Sequence, residues 1–142
     1  SMGAWIATKT VKLMVQCGLV VKGARVCVMG ITFKENCSDT RNSKVHDIIN
    51  ELKEYGIDVV SCDPRAPPNE VKRFYGITLT PFNEIRDCDA VVMAVAHKEY
   101  RALTGSELHA LFKQQNEKKL VYDVKAIIDR DSIPEDMVIK RL

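Results

Sequence analysis

The chain has 142 residues, 46% of them hydrophobic and 28% charged, which suits one globular domain with a real core and is too short for two ordinary ones. Its formal net charge of +2 is too small to point to nucleic acid or a membrane surface. No apolar stretch approaches the roughly 18 residues of a membrane span, and Ser1-Met2-Gly3-Ala4-Trp5 lacks the basic-then-apolar pattern of a secretory signal, so the cytoplasm is the expected compartment.

The opening segment, Gly3 to Cys17, has helical spacing, with Ile6, Thr10, Leu13, Met14 and Cys17 on one side and Gly18 as a stop. It begins without an evident cap. Ala24 to Gly30 is an apolar run and predicts a buried strand. A loop from Ile31 to Arg41 precedes the clearest helix, Asn42 to Tyr55, whose apolar face is Val45, Ile48, Ile49, Leu52 and Tyr55, with Gly56 as C-terminal cap. Asp58 to Pro64 predicts a strand ending in a turn, Asn69 to Tyr75 a short helix, Ile77 to Leu79 a short strand and Phe82 to Asp87 a helical turn or two. Ala90 to Val95, apolar throughout, predicts a central strand.

Thr104-Gly105-Ser106-Glu107 is a capping box that starts a helix reaching to about Phe112. Leu120 to Asp123 predicts a further strand and Met137 to Ile139 a last edge strand. Strands alternating with helices give a Rossmann-like α/β fold, a three-layer sandwich around a mainly parallel sheet.

Ligands of such sheets bind beyond the carboxyl ends of the strands, where strand order reverses. That edge collects Phe33, Lys34 and Arg41 after the first strand, Asp63 after the second, His97 and Lys98 after the central one, and Asp123 and Lys125 after the last long one. Cations for phosphate, a ring for a base or ribose and carboxylates for sugar hydroxyls suit an anionic, ring-bearing ligand. The first strand does not enter a GxGxxG turn, since Gly30-Ile31-Thr32-Phe33 offers one glycine, so a dinucleotide is not its expected ligand. Without that turn, Asp63 reads as a turn residue rather than a ribose ligand. Asp39 is expected to hold the Lys34–Arg41 loop or cap the next helix, and Asp123 to orient the loop beside it. His97 is read equally as a pocket wall or a loop hydrogen-bonder.

The five cysteines, Cys17, Cys27, Cys37, Cys62 and Cys88, form no CxxC pair, and the odd count favours reduced thiols. Cys37 alone stands in a polar, cation-rich loop, where loop filler is a better reading than nucleophile. His46, His97 and His109 have no zinc-ligand spacing to any cysteine, so no metal site is expected.

Gly30-Ile31-Thr32-Phe33-Lys34-Glu35-Asn36-Cys37-Ser38-Asp39-Thr40-Arg41-Asn42-Ser43 resembles the G-x-x-F-K-x-x-x-x-D-x-R-x-S signature of the UDP-glucose/GDP-mannose dehydrogenase family. Tyr55-Gly56 leading to Asp63-Pro64, Asp89 to His97, and Val121-Tyr122-Asp123-Val124-Lys125 agree with it. The resemblance implies that residues 1–20 are the end of an interdomain, dimerisation helix and that residues 21–142 are the C-terminal nucleotide-sugar-binding domain. It implies that Phe33, Lys34 and Lys125 contact a UDP-sugar, with lysine at 125 where many members have arginine. Arg41 would reach NAD held by another domain.

The implied reaction is oxidation of the sugar's C6 alcohol to a carboxylate in two hydride transfers to NAD. Its thiolate and dinucleotide site would lie in N-terminal and central domains absent from this chain, which implies no catalytic residue here and no activity for the chain alone. Among members it looks most like UDP-N-acetylhexosamine dehydrogenases of bacterial capsule and O-antigen synthesis, with a homodimer as the full-length assembly. The rival readings are a stand-alone ligand-binding module, such as a phosphoacceptor receiver, and a pure assembly module. A receiver would want clustered aspartates at the first and third strand ends, and Gly30 and Ala94-Val95-Ala96 offer none.

Overall fold

The computed structural model describes residues 1–142. In chain order the elements are α1 (Met2–Gln16), β1 (Arg25–Met29), α2 (Val45–Glu54), β2 (Asp58–Cys62), α3 (Pro68–Tyr75), β3 (Ala90–Met93), α4 (Lys98–Arg101), α5 (Gly105–His109), β4 (Lys119–Asp123) and β5 (Met137–Arg141), with 3₁₀ turns at Phe82–Glu84 and Arg130–Ser132. The strands form one sheet in the order β2-β1-β3-β4-β5, and every pairing is parallel. Strand order therefore reverses between β1 and β3, the switch point of an open α/β sheet.

The apolar runs form strands because both faces of the sheet are covered. Val26, Val28, Ala90, Val92, Leu120 and Tyr122 point to the side of α1 and α2, while Cys27, Met29, Val91, Met93 and Val121 point to the side of α4 and α5. Period-two alternation thus serves two separate cores, and the central strands β1, β3 and β4 are buried on both faces. Helix α2 buries Val45, Ile48, Ile49 and Leu52, each worth about 1.5–3 kcal/mol on removal from water. Helix α1 lies against α2, burying Gly3, Ile6, Ala7, Thr10, Leu13 and Met14. The two helices cross tightly at Gly3, where a Cβ would stand 2.6 Å from Asp47 Cβ.

Five expectations about local structure change. Ser1 does cap α1, its hydroxyl accepting from the Ala4 amide at 3.2 Å. Ile77 to Leu79 forms no strand. The only backbone bond there toward β2 is Thr80 N–H to Ser61 C=O, and one bond does not make a ladder. Helix α5 stops at His109, and the next residues turn so that Cys88 can bridge to Phe112. Helix α4, unexpected from sequence, is a single turn that buries Tyr100. Tyr55 ends α2 as an exposed residue rather than extending its apolar face.

The expected capping box is present. Glu107 N–H donates to the Thr104 hydroxyl, and Thr104 N–H donates to the Glu107 carboxylate. No helix is long and apolar enough to cross a membrane.

Candidate functional site

The site is built on two loops at the switch point. After β1, Gly30 adopts φ +97°, and a Cβ there would lie 2.5 Å from Val95 Cβ in the segment after β3. Only glycine fits both the angle and the approach. The chain then runs from Ile31 to Lys44 before α2 begins, and Phe33 N–H to Asp39 C=O at 2.7 Å closes it into a compact loop. Within it the Thr32 hydroxyl donates to Lys34 C=O at 2.9 Å. The second loop follows β4. The buried Asp123 carboxylate accepts the amides of Ile127 at 3.0 Å and Ile128 at 2.9 Å, which shapes the turn that carries Lys125.

Between these loops lies a cleft of about 200 Å³. Phe33, Lys34 and Lys125 all line it, so three of the residues singled out in the sequence come together in one place. Val45 and Ile48 of α2, Ala94 and Val95 after β3, and Ile6 of α1 give it an apolar floor and wall. Phe33 keeps 55% of its surface exposed, a large ring held out toward solvent at the rim. Lys44, at the start of α2, also lines the cleft.

None of Lys34, Lys44 and Lys125 takes part in an ion pair. Glu35 is the only acid in the lining, so the cleft has an excess of positive charge next to the amino end of a ten-residue helix. Sequence reasoning passed over Lys44, although it directly follows the quoted signature, because it was read as part of the helix rather than of the loop.

Arg41 stands apart. Its side chain is 78% exposed and forks onto Asp39, Nε to Oδ1 at 3.1 Å and Nη2 to Oδ2 at 3.2 Å. The Arg41 hydrogen bonds hold the Asp39 carboxyl below the usual carboxylate range. Cys37 does not line the cleft, and its sulfur accepts from the Asp39 amide at 3.3 Å. Cys27, Cys62 and Cys88 are buried in the core on the α5 side. Burial pushes the Cys88 thiol up to about 12.

Asp63 is more than a turn residue. Its fully buried side chain accepts the amides of Ile31 at 2.8 Å and Thr32 at 3.3 Å through one oxygen, and those of Arg65 at 2.7 Å and Ala66 at 2.9 Å through the other. It therefore bolts the end of β2 to the end of β1. The amides after Gly30, which a dinucleotide's pyrophosphate would need, are already satisfied, and α2 begins only at Val45. The residues present do not fit a dinucleotide at this turn.

A larger cavity of about 310 Å³ opens beside α4, lined by Cys62, Phe82, Glu99, Tyr100 and Leu103 among others. Its charged residues, Asp63 and Glu99, are acids, so it has no cation for a phosphate.

A family model described as the UDP-glucose/GDP-mannose dehydrogenase family, UDP binding domain, matches residues 27–130. The chain belongs to this family. Among its relatives in the family, Protein CapL of Staphylococcus aureus is 41% identical over 133 residues, which is 94% of this chain and 30% of that protein. The UDP-N-acetyl-D-glucosamine 6-dehydrogenase of Pseudomonas aeruginosa is 39% identical over 92% of this chain and 30% of its own length.

The same fold occurs in the NDP-N-acetyl-D-galactosaminuronic acid dehydrogenase of Methanosarcina mazei Go1, with a TM-score of 0.83 at 20% identity over 99% of this chain and 29% of that one. The UDP binding domain described here spans about 30% of the length of the curated relatives it matches.

Proposed function

We propose that this UDP binding domain holds the nucleotide-sugar of an NAD-dependent UDP-sugar 6-dehydrogenase. The full-length enzyme would act in the cytoplasm as a homodimer on a UDP-N-acetylhexosamine for bacterial capsule or O-antigen synthesis. The observation that carries the reading is the cleft itself: three unpaired lysines around an apolar floor, with an exposed aromatic ring at the rim. Lys34, Lys125 and Lys44 neutralise the diphosphate, and Phe33 packs on the uracil or ribose. The lysine charges repel one another when the cleft is empty, and a dianion relieves that repulsion. The name of the Pseudomonas aeruginosa relative, a UDP-N-acetyl-D-glucosamine 6-dehydrogenase, supports the substrate class.

The reaction oxidises the sugar C6 alcohol to a carboxylate with two NAD. This domain contributes binding and orientation to it. Arg41, exposed and outside the cleft, is the cofactor-side residue, facing NAD held by another domain. Helix α1 is the end of the helix that joins this domain to the rest and supports the dimer, residues 1–20, with the nucleotide-sugar-binding domain over 21–142. Without the other domains the chain reduces no NAD.

Titration of the chain with UDP, followed by amide NMR, tests the reading. Half a substrate site binds weakly, at about millimolar Kd or roughly −4 kcal/mol. Shifts are expected at 32–36, 44–45 and 124–126. Shifts centred on the cavity beside α4, or on the outer face of α1 at Trp5 and Val15, would overturn it.

A further inference from the structure

The loop that presents Phe33 and Lys34 is gripped from beneath by one buried side chain. His97 follows β3, is 0% exposed and forms the floor under residues 32–36. Its Nδ1 accepts from the Asn36 amide at 2.9 Å. An accepting Nδ1 carries no proton, so the neutral ring bears its hydrogen on Nε2. That nitrogen lies 3.0 Å from Asp63 Oδ2 and 3.2 Å from Thr32 Oγ1. The chain of bonds is continuous: Asp63 orients the ring, the ring holds Thr32 and Asn36, and the Thr32 hydroxyl donates to the carbonyl of Lys34.

The far end of the loop needs this grip. Asn36 sits at φ 57°, in the left-handed region that asparagine tolerates better than most non-glycine residues, and its amide, side chain and carbonyl are all held there. Beyond the ring, the Asn36 side-chain oxygen accepts from Lys98 N–H at 2.8 Å, and its carbonyl accepts from Arg65 at 3.3 Å. Both partners adjoin His97 or Asp63, so the support is one unit. A ring that only filled core would face apolar atoms. Here every polar atom of the ring is spent on the ligand loop or on the carboxylate that orients the ring.

We propose that His97 is a positioning residue for the nucleotide-sugar, setting the Phe33–Lys34 loop through Nδ1 while Asp63 fixes its tautomer. The proposal rests on the reading of the lysine cleft as the nucleotide-sugar site. His97 touches no ligand in it. It lowers the cost of ordering the loop when a diphosphate arrives.

Two substitutions separate positioning from packing. In His97→Asn the amide oxygen stands near the place of Nδ1 and can still accept from Asn36. In His97→Gln the amide end reaches the place of Nε2 and serves Asp63, leaving the Asn36 amide without a partner. UDP titrations of the 142-residue chain should give a Kd about fivefold weaker for His97→Gln, the scale of one buried hydrogen bond, and within about twofold of the parent for His97→Asn. Amide exchange at Asn36 should accelerate only in His97→Gln.

Equal weakening by both variants would overturn the proposal, as would no weakening by either while Lys34→Ala weakens binding. If Lys34→Ala has no effect, the site itself is misplaced and the proposal falls with it. Should either variant fail to fold, the unaltered chain gives the answer through its imidazole nitrogens. The Nε2–H tautomer should be visible by ¹⁵N NMR, with Nδ1 shifting as UDP saturates. A ring bearing its proton on Nδ1, or unmoved by saturating UDP, would overturn the proposal.

Discussion

At the edge where the strands begin, cations meet carboxylates, whereas at the edge where they end, the cations of the cleft meet none. Arg25 pairs with Asp58 at 3.0 Å and Lys119 with Asp136 at 2.7 Å, each tying one strand's entry to another's, and Lys113 with Asp89 at 2.8 Å ties the turn after α5 to the entry of β3. Lys34, Lys44 and Lys125 at the opposite edge have no such partner. Lysine chemistry is the same at both ends. What differs is whether the fold supplies the counter-charge itself, and on the proposed function that difference separates residues that hold the sheet from residues that meet the diphosphate.

Asp63→Ala should break the comparison most deeply, because it strips a buried acceptor from Ile31, Thr32, Arg65, Ala66 and His97 at once. Each orphaned buried donor costs about 1–3 kcal/mol, so urea denaturation should show a loss of about 3 kcal/mol or more. A loss under about 1 kcal/mol would mean that the two strand ends are held by something else.

Lys34→Ala and Lys125→Ala should each weaken UDP binding about tenfold in calorimetry and leave the melting temperature nearly unchanged. In the full-length enzyme, Lys34→Ala should mainly raise KM for the UDP-sugar, and Arg41→Ala should mainly raise KM for NAD and slow turnover. The reverse assignment, or less than a twofold effect from both, would undo the division of roles.

Lys119→Met should invert the Lys34 pattern. The Lys119 ammonium is 1% exposed and donates to Gln114 and Asn116 carbonyls as well as to Asp136. Its removal should cost about 1–3 kcal/mol of stability and leave UDP affinity intact. A change in UDP affinity without a change in stability would erase the distinction between the two edges.

The smallest effect should come from acid. Hydrogen bonds from Lys119, then His109, hold the Asp136 carboxyl down at about 2. Burial alone would raise the Asp89 carboxyl, but Lys113, the Arg25 amide and Asn116 together bring it below its ordinary value. Both carboxylates are lower in the folded state than in the unfolded one, so their stabilisation is present above about pH 4 and fades as pH falls toward about 2. Thermal melts from pH 5 to 2 should therefore fall less steeply in Asp136→Asn than in the parent, by a modest margin because this side chain is 37% exposed.

The sheet was legible because Val26–Met29 of β1, Ala90–Met93 of β3 and Leu120–Tyr122 of β4 are apolar on both alternations, a pattern that double burial explains. That Lys34 and Lys125 meet at one edge was legible from their places just past strand ends. Helix α4 was not, since its single turn is too short for periodicity to register. Ile77 to Leu79 has the β-branched character of a strand, yet strand formation needs a partner with a free edge in register, which local composition does not report. The turn role of Asp63 was legible, but its hold on the first strand was not, for a related reason. Its decisive partners, Ile31 and Thr32, lie more than 30 residues back along the chain. Lys119 drew no reading from the sequence, and the acceptors that allow its burial, Asp136 with the Gln114 and Asn116 carbonyls, come together only in the fold.

The inward carboxylate of Asp63 also fixes what the fold could become. In a dinucleotide fold the amides after the first strand greet an external phosphate; here they enclose an anion that the protein supplies from its own second strand. The place of the phosphate is taken by a tethered, hydrogen-bonded carboxylate. Grafting a glycine-rich turn onto residues 30–35 would therefore not create affinity for NAD, since the incoming diphosphate would face the negative charge of the buried Asp63 side chain. Conversion would require displacing Asp63 together with the histidine that leans on it, and the loop that presents Phe33 and Lys34 would come undone in the exchange.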